Sequence, residues 1–139
     1  MDDGGRAREP FALVTDTGHN LPPEMVDNLR VAQVPITINF GVEGSLDDGV
    51  MGLEEFVELL DRYEKGKGYP TTAAPPPARF VDVFTGYIKE GLSRILTVTL
   101  SHKLSKTYDS AVQAADMVEQ QYPGSEIEVV DSLGGSMLE

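Results

Sequence analysis

Short apolar runs of strand length alternate with segments of helical periodicity along this chain. Residues 95–100 form a β-branched run bounded like a buried strand, and residues 11–15 and 127–130 are similar. The segments between these runs carry apolar residues at spacings of three and four, which predicts helices. Strands separated by helices need crossover connections, so they form a mainly parallel sheet with helices on both faces. The sequence therefore predicts an α/β fold, a three-layer α/β/α domain.

Prolines and glycines mark the predicted bounds of the other elements. A strand is predicted over residues 34–40, where apolar and polar residues alternate after Pro35. An acidic loop that contains glycines is predicted over residues 41–52. The predicted helices run over residues 24–30, 53–63, 78–91 and 104–122, and glycine or proline punctuates most of their ends.

Composition and charge exclude several classes of partner. The chain has 139 residues, 40% of them hydrophobic and 24% charged, which is typical of one soluble domain. Its net charge of −12 disfavours binding to nucleic acid or to an anionic membrane surface. Cysteine is absent, and no stretch approaches the roughly 20 apolar residues of a membrane span, so neither disulfides nor stable membrane insertion is expected. A cytoplasmic location is the expectation.

The two ends of the chain carry predictions about its boundaries. Residues 1–10 are polar and lack the apolar core of a signal peptide, so we expect a flexible N-terminal tail. The folded domain is predicted over residues 11–137. Leu138 and Glu139 resemble the remnant of a cloning junction, and the abrupt end after a predicted strand suggests a fragment of a longer protein.

Two hydroxyl-rich turns lie where a strand signal meets a helix signal. One contains Thr71 and Thr72, and the other contains Ser101 and Ser105. In an open α/β sheet this is where ligands bind, because backbone N–H groups and the positive end of a helix dipole attract a negative group there. Serine and threonine hydroxyls add donors without adding charge. The pattern therefore predicts recognition of an anion.

The ordered set of turns resembles the DegV family over about residues 11–137. The family includes lipid-binding proteins, among them the fatty acid-binding subunits of bacterial fatty acid kinases. The resemblance implies that this chain is the N-terminal domain of such a protein, that the C-terminal domain is absent, and that the ligand lies between the two. The residues that carry it are Val14-Thr15-Asp16-Thr17, Val34-Pro35-Ile36, Glu54-Glu55-Phe56, Pro70-Thr71-Thr72, Leu100-Ser101 with Leu104-Ser105, Thr107-Tyr108, Ser110-Ala111 and Val130-Asp131-Ser132.

The resemblance implies a carrier without catalytic residues, metal or cofactor. Thr71, Thr72 and Ser101 would donate hydrogen bonds to the carboxylate of a long-chain fatty acid. Each charge-assisted bond of this kind contributes about 1.5–3 kcal/mol, while the acyl tail adds roughly 0.8 kcal/mol per buried methylene. The implied protein partner is a kinase subunit that converts the bound acid into an acyl phosphate. Without the second domain, we expect the chain to self-associate through uncovered apolar surface.

The sequence departs from the family pattern at residues near the expected carboxylate site. His102 and Lys106 occupy positions where the family commonly has serine and glycine, and Ala73-Ala74 replaces serine-glutamine. His102 is therefore a candidate donor whose protonation would make binding depend on pH near its reference pKa of roughly 6.5. Lys106 is either an additional anion anchor or a bulky side chain that narrows the opening.

Each candidate residue also has a structural alternative. The threonines could serve as turn and cap residues, and Ser105 is favoured as the N-cap of the long helix. Asp16, a candidate ligand residue after the first strand, could instead cap the next helix or orient its turn. His19 is expected to be an exposed loop residue.

Three other functions were weighed. A hydrolase would use Ser101 as nucleophile, His102 or His19 as base and Asp16 as orienting acid, but the Gly-x-Ser-x-Gly elbow is absent. A phosphate-binding enzyme would use the same helix N-termini, but there is neither a P-loop nor a Gly-x-Gly-x-x-Gly fingerprint. An interaction or structural domain without a ligand remains open, and the absence of a cavity between the two turns would favour it.

Overall fold

The computed structural model describes residues 10–41, 44–67 and 69–135. The predictions for residues 1–9, 138 and 139 lie outside these ranges. Seven strands and four α-helices are found within them, and a short 3₁₀ turn, Thr17–His19, follows the first strand. In chain order the elements are β1 (Ala12–Asp16), α1 (Pro23–Leu29), β2 (Ala32–Val34), β3 (Thr37–Asn39), β4 (Ser45–Asp47), α2 (Leu53–Lys67), β5 (Thr71–Ala73), α3 (Pro77–Lys89), β6 (Arg94–Thr99), α4 (Thr107–Gln121) and β7 (Glu126–Asp131).

Four parallel strands form the main sheet, in the order β2-β1-β6-β7. The strands β2 and β6 both neighbour β1, on its two opposite sides, so the chain reverses direction across the sheet after β2. Parallel crossovers are right-handed, so this reversal places α1 on one face of the sheet and α3 and α4 on the other. The predicted α/β fold with a mainly parallel sheet is confirmed. The reversal also makes the C-terminal ends of β1 and β6 a topological switch point.

The main hydrophobic core lies between this sheet and the two helices α3 and α4. On α3, Phe80 and Phe84 are spaced by one helical turn, and both are fully buried. On α4 the buried residues are mostly alanines, which allow the helix to lie close to the sheet. The sheet contributes alternate residues, as period-two geometry requires. They are Ala12, Val14, Val34, Ile95 and Ile127.

A second, smaller unit is inserted between β2 and α3. Its antiparallel sheet has the order β4-β3-β5 and packs against α2. Its core contains Ile38, Phe40 and Tyr63, and the two aromatic rings meet edge to face at 5.4 Å. An ion pair of 2.9 Å between Arg79 and Asp47 connects α3 to β4. The molecule therefore has two cores, with the chain crossing between them at residues 35–36 and 74–76.

The prediction of one strand over residues 34–40 is wrong. Val34 ends β2 in the parallel sheet, whereas Thr37 begins β3 in the antiparallel sheet. Pro35 separates them because it lacks an N–H for a ladder hydrogen bond. The amide of Ile36 instead donates a hydrogen bond to the hydroxyl of Thr17, at 3.1 Å.

Four other predicted elements also differ from the structure. The predicted loop over residues 41–52 contains β4, and the predicted turn at Thr71 and Thr72 is β5. Both strands pair with β3, so this local structure depends on residues distant in sequence. The helix α4 begins at Thr107 rather than at residue 104, and α2 continues to Lys67 rather than ending at residue 63. No helix within the described ranges is long and apolar enough to cross a membrane.

We expect Thr97→Val to stabilise the protein by about 1 kcal/mol, because it removes a buried hydroxyl without a partner. Thr97 lies on the core face of β6, is fully buried, and its hydroxyl makes no hydrogen bond. Thr99→Val is the matched control, since Thr99 is equally buried on the same strand face but donates to the carbonyl of Leu100 at 3.1 Å. Urea unfolding should show a gain for the first variant and a loss for the second. A loss for both would contradict the prediction.

Candidate functional site

The carboxylate of Asp16 joins the two strand ends at the switch point. Asp16 ends β1 and is fully buried. Its Oδ1 accepts from the amide of Gly18 and its Oδ2 from the amide of Leu100, both at 2.8 Å. Burial raises the pKa of Asp16, and the two amide hydrogen bonds and the nearby His19 oppose that rise only in part. Asp16 therefore caps the 3₁₀ turn that follows β1, as its structural alternative predicted, and it also fixes the loop that follows β6.

The two loops at this edge are in close contact. A Cβ atom added to Gly18 would lie 2.7 Å from a side-chain carbon of Leu100. A larger residue at Gly18 would therefore require the Leu100 side chain to move.

His19, on the same turn, is buried, so the expectation of an exposed residue is wrong. Its Nδ1 accepts from the amide of Leu21 at 2.7 Å, and its Nε2 lies 2.7 Å from Oε1 of Gln33. These contacts place the ring proton on Nε2 and make His19 a structural residue of the turn.

Ser101 organises the β6–α4 loop from within. It is buried, its amide donates to the carbonyl of Gly134 at 3.0 Å, and its carbonyl accepts from the amides of Leu104 and Ser105. The Ser101 hydroxyl accepts from the amide of Lys103 at 3.2 Å. A hydroxyl that accepts one hydrogen bond can still donate its proton, so this contact leaves the Ser101 donor unused.

Ser105 prepares the start of α4. Its hydroxyl accepts from the amide of Thr107 at 3.2 Å and lies 2.7 Å from the Thr107 hydroxyl. The helix N-cap position itself is Lys106, which makes no side-chain cap hydrogen bond. The prediction of Ser105 as the N-cap is therefore wrong by one residue, and its hydroxyl binds the amide of the first helical residue instead.

His102 pairs with Asp131 at the end of β7. The carboxylate oxygen Oδ2 of Asp131 contacts Nδ1 of His102 and accepts from its amide at 3.2 Å, while Oδ1 accepts from the amide of Leu133 at 2.9 Å. Burial raises the pKa of Asp131, but the Leu133 amide and the ring, amide and charge of His102 lower it by more, so the net pKa is below its usual value. Asp131 is a functional candidate that the sequence analysis missed; its place at the end of the last strand was the available signal.

A cleft of about 430 Å³ separates β5 from the β6–α4 loop. It brings the two hydroxyl-rich segments together, as their positions beside the sheet edge suggested. Its lining combines apolar side chains with hydroxyl, imidazole and ammonium groups. The lining residues are Ile36, Thr72, Ala73, Ala74, Leu100, His102, Lys103, Leu104, Ser105 and Lys106.

The six candidate residues divide into three groups. Thr72, His102 and Lys106 line the cleft, whereas Asp16 and Ser101 are buried behind it. Thr71 is exposed on β5, and because side chains alternate along a strand it points to the face opposite Thr72. Lys106 is exposed, with its Nζ 3.6 Å from a carboxylate oxygen of Asp109.

The structure does not bring Ser101, His102 and Asp16 into the arrangement that a serine hydrolase needs. Asp16 holds backbone amides, the Ser101 hydroxyl faces the amide of Lys103, and His102 pairs with Asp131. No hydrogen bond joins Ser101 to either histidine within the described part of the chain. A cleft with polar and cationic groups at the switch point of a parallel sheet defines instead a ligand-binding α/β domain.

Comparison with known proteins identifies the family to which this chain belongs. The family model described as "Uncharacterised protein, DegV family" matches residues 10–139, so the chain belongs to the DegV family. A DegV domain-containing protein of Caldanaerobacter subterraneus subsp. tengcongensis is 38% identical over 136 residues, which cover 94% of this chain and 45% of that protein.

Solved structures share the fold. A stearic acid-binding protein from Eubacterium ventriosum is similar with a TM-score of 0.82 and 26% identity, over 91% of this chain and 43% of that one. The fatty acid kinase (Fak) B3 protein of Streptococcus pneumoniae, loaded with linoleic acid, has a TM-score of 0.73 at 23% identity, over 91% and 43% of the two chains. The chain spans less than half the length of these proteins.

Proposed function

We propose that this chain is a fatty acid-binding domain that holds the carboxylate of a long-chain fatty acid in the cleft between β5 and the β6–α4 loop. The observation that carries the proposal is this cleft, because Thr72, His102 and Lys106 all line it. The stearic acid-binding protein of the same fold supports the choice of ligand. The proposed role is that of a binding protein, with no catalytic residue on this chain.

The charges of the cleft favour an anion. The chain as a whole carries −12, yet the charged or ionisable side chains that line the cleft are His102, Lys103 and Lys106. A carboxylate leaving water needs charge-assisted hydrogen bonds, and a hydroxyl together with cationic donors can provide them. Ser101 would contribute its remaining donor from the floor of the loop.

Residues of the small antiparallel sheet also line a second cavity, whose lining is mostly apolar. Thr72 pairs with Ile38 across the small sheet, so the two side chains lie on one face of it. Ile38 lines this second cavity of about 190 Å³, whose other apolar residues come from β4, the loop after it and α2. They are Leu46, Met51, Leu53 and Phe56. We propose that the tail extends from the cleft toward this cavity.

We expect Thr72→Val to weaken fatty acid binding about 10-fold or more, since it removes one charge-assisted hydrogen bond of about 1.5–3 kcal/mol while preserving side-chain shape. Isothermal titration of the delipidated chain with dodecanoate measures the affinity. Thr71→Val is the matched control, because Thr71 does not line the cleft, and its affinity should stay within about 3-fold.

The opposite ranking of the two variants would move the carboxylate site to Thr71, as the family resemblance also allows. A wild-type chain that binds no dodecanoate would contradict the proposed function and favour an interaction domain without a ligand.

The fatty acid kinase partner is a further part of the proposal and comes from the family. The Streptococcus pneumoniae protein supports the shared fold alone, so the kinase needs its own test. Incubation of the loaded chain with a fatty acid kinase subunit and ATP should yield acyl phosphate. Self-association of this chain and a cytoplasmic location also remain predictions.

A further inference from the structure

We propose that Asp131 is a positioning residue of the ligand site, which orients His102 so that binding of a fatty acid carboxylate is coupled to uptake of a proton. The inference rests on the proposed function and concerns the regulation of the same cleft by pH. Asp131 does not line the cleft and would act only through the imidazole.

Asp131 is well placed to fix the ring of His102. Its side chain is 14% exposed, and its two oxygens are anchored by the amides of His102 and Leu133 besides the imidazole. The contact joins β7 to the β6–α4 loop, two elements 29 residues apart in sequence. The His102 ring also lies 6.4 Å from the ring of Tyr108 on α4. The imidazole is therefore held from two sides while it lines the cleft.

The polarity of the contact determines which ring nitrogen can meet a ligand. An ionised carboxylate only accepts hydrogen bonds, so Nδ1 of His102 must carry the proton that faces Asp131. The other nitrogen, Nε2, has no hydrogen-bond partner in the described part of the chain, and the His102 side chain is 49% exposed. In the neutral ring Nε2 is an acceptor and repels a carboxylate oxygen. It becomes a donor only when the ring is protonated.

Ligand binding and protonation of His102 therefore favour each other. Lys103 and Lys106 on the same loop disfavour a third positive charge in the empty cleft, whereas Asp131 favours it. Asp109 offsets part of the charge of Lys106, Tyr108 contributes a neutral ring, and the cleft residues of β5 are uncharged. A bound carboxylate adds the opposite charge that completes the site. The lowered pKa of Asp131 keeps its carboxylate ionised throughout.

A hydroxyl at this position, as in the family pattern, would not couple binding to pH in this range. Serine donates in every charge state, because its hydroxyl does not titrate near neutrality. The His102–Asp131 pair would thus make fatty acid retention in this chain weaker as the pH rises through the range in which His102 loses its proton.

Isothermal titration with dodecanoate at pH 7.5, in two buffers of different ionisation enthalpy, measures proton uptake. The ligand carboxyl stays ionised at this pH. We expect the wild type to take up a measurable fraction of a proton per bound ligand, because Nε2 of His102 can donate to the carboxylate only after the neutral ring has gained a proton. In Asp131→Asn the amide N–H₂ can donate to Nδ1, which leaves a proton on Nε2 of the neutral ring. Uptake should then fall close to zero.

Asp109→Asn is the matched control, because it removes a neighbouring carboxylate that contacts Lys106 and not His102. Its proton uptake should equal that of the wild type. Equal uptake in wild type and Asp131→Asn, or no uptake in a wild type that binds dodecanoate, would overturn the proposal. His102→Gln should bind without uptake and without pH dependence.

A ligand-free measurement separates this proposal from the proposed function. Nitrogen-15 NMR of the neutral imidazole should show the proton on Nδ1 in the wild type and on Nε2 in Asp131→Asn. The same tautomer in both proteins would refute the positioning role. A wild type that shows this tautomer change but binds no dodecanoate would refute the fatty acid function instead, and with it the proposed coupling.

Discussion

Asp16→Ala is expected to destabilise the protein by about 3 kcal/mol and to abolish ligand binding in the cleft. The carboxylate accepts two backbone amides at 2.8 Å, and each such bond to a charged group contributes about 1.5–3 kcal/mol. Removal of the buried charge also removes its desolvation cost, which offsets part of the loss. The amide of Leu100 would lose the contact that fixes the start of the β6–α4 loop.

The loss should appear in two independent measurements. Urea unfolding gives the change in free energy, and amide hydrogen exchange should accelerate at Gly18 and Leu100 before the protein unfolds globally. Asp16→Asn is the graded control, because its amide oxygen can accept one of the two hydrogen bonds. About half the loss is expected. If Asp16→Ala were as stable as the wild type and bound dodecanoate normally, the link between the two strand ends would be unimportant.

Phe84→Ala is expected to cost about 3–5 kcal/mol, a large part of the stability of a domain this size. Phe84 is fully buried in the core between α3 and the parallel sheet, with its ring centroid 5.9 Å from that of Phe80. Truncation removes apolar area and leaves a cavity that close packing cannot refill. Thermal and urea unfolding followed by circular dichroism measure the change.

Phe11→Ala provides a control with the same chemical change. Phe11 is 56% exposed just before β1, so less than about 1 kcal/mol of destabilisation is expected. Similar losses at the two positions would show that the core between α3 and the sheet is not the main source of stability.

The parallel sheet could be predicted because its signals are local. The β-branched run of β6 and the apolar spacing of α3 each appear within one segment, and handedness rules restrict how such segments connect. The strand β5 could not be predicted in this way. Thr71–Ala73 is exposed and has no hydrophobic pattern, and it is a strand only because it pairs with Thr37–Asn39.

The candidate site was predicted unevenly for the same reason. The two hydroxyl-rich segments were identified from their places beside strand and helix signals, and the structure brings them to one cleft. The roles within each segment depend on side-chain direction. Thr72 lines the cleft and Thr71 does not, a distinction that requires the register of β5 against β3. Binding by Thr72, Ser101, His102 and Lys106 remains a proposal.

Contacts between residues distant in sequence decided the roles of the two histidines. The pairing of His102 with Asp131 joins residues that no local pattern relates, and the burial of His19 depends on contacts with Leu21 and Gln33. The sequence by itself determined the α/β class and the family resemblance, and it pointed to the two hydroxyl-rich segments, because periodicity, charge and residue type are properties of neighbouring residues. The tertiary structure decided the antiparallel unit, the cleft and the partner of each polar side chain, because hydrogen bonds and burial depend on distances in space.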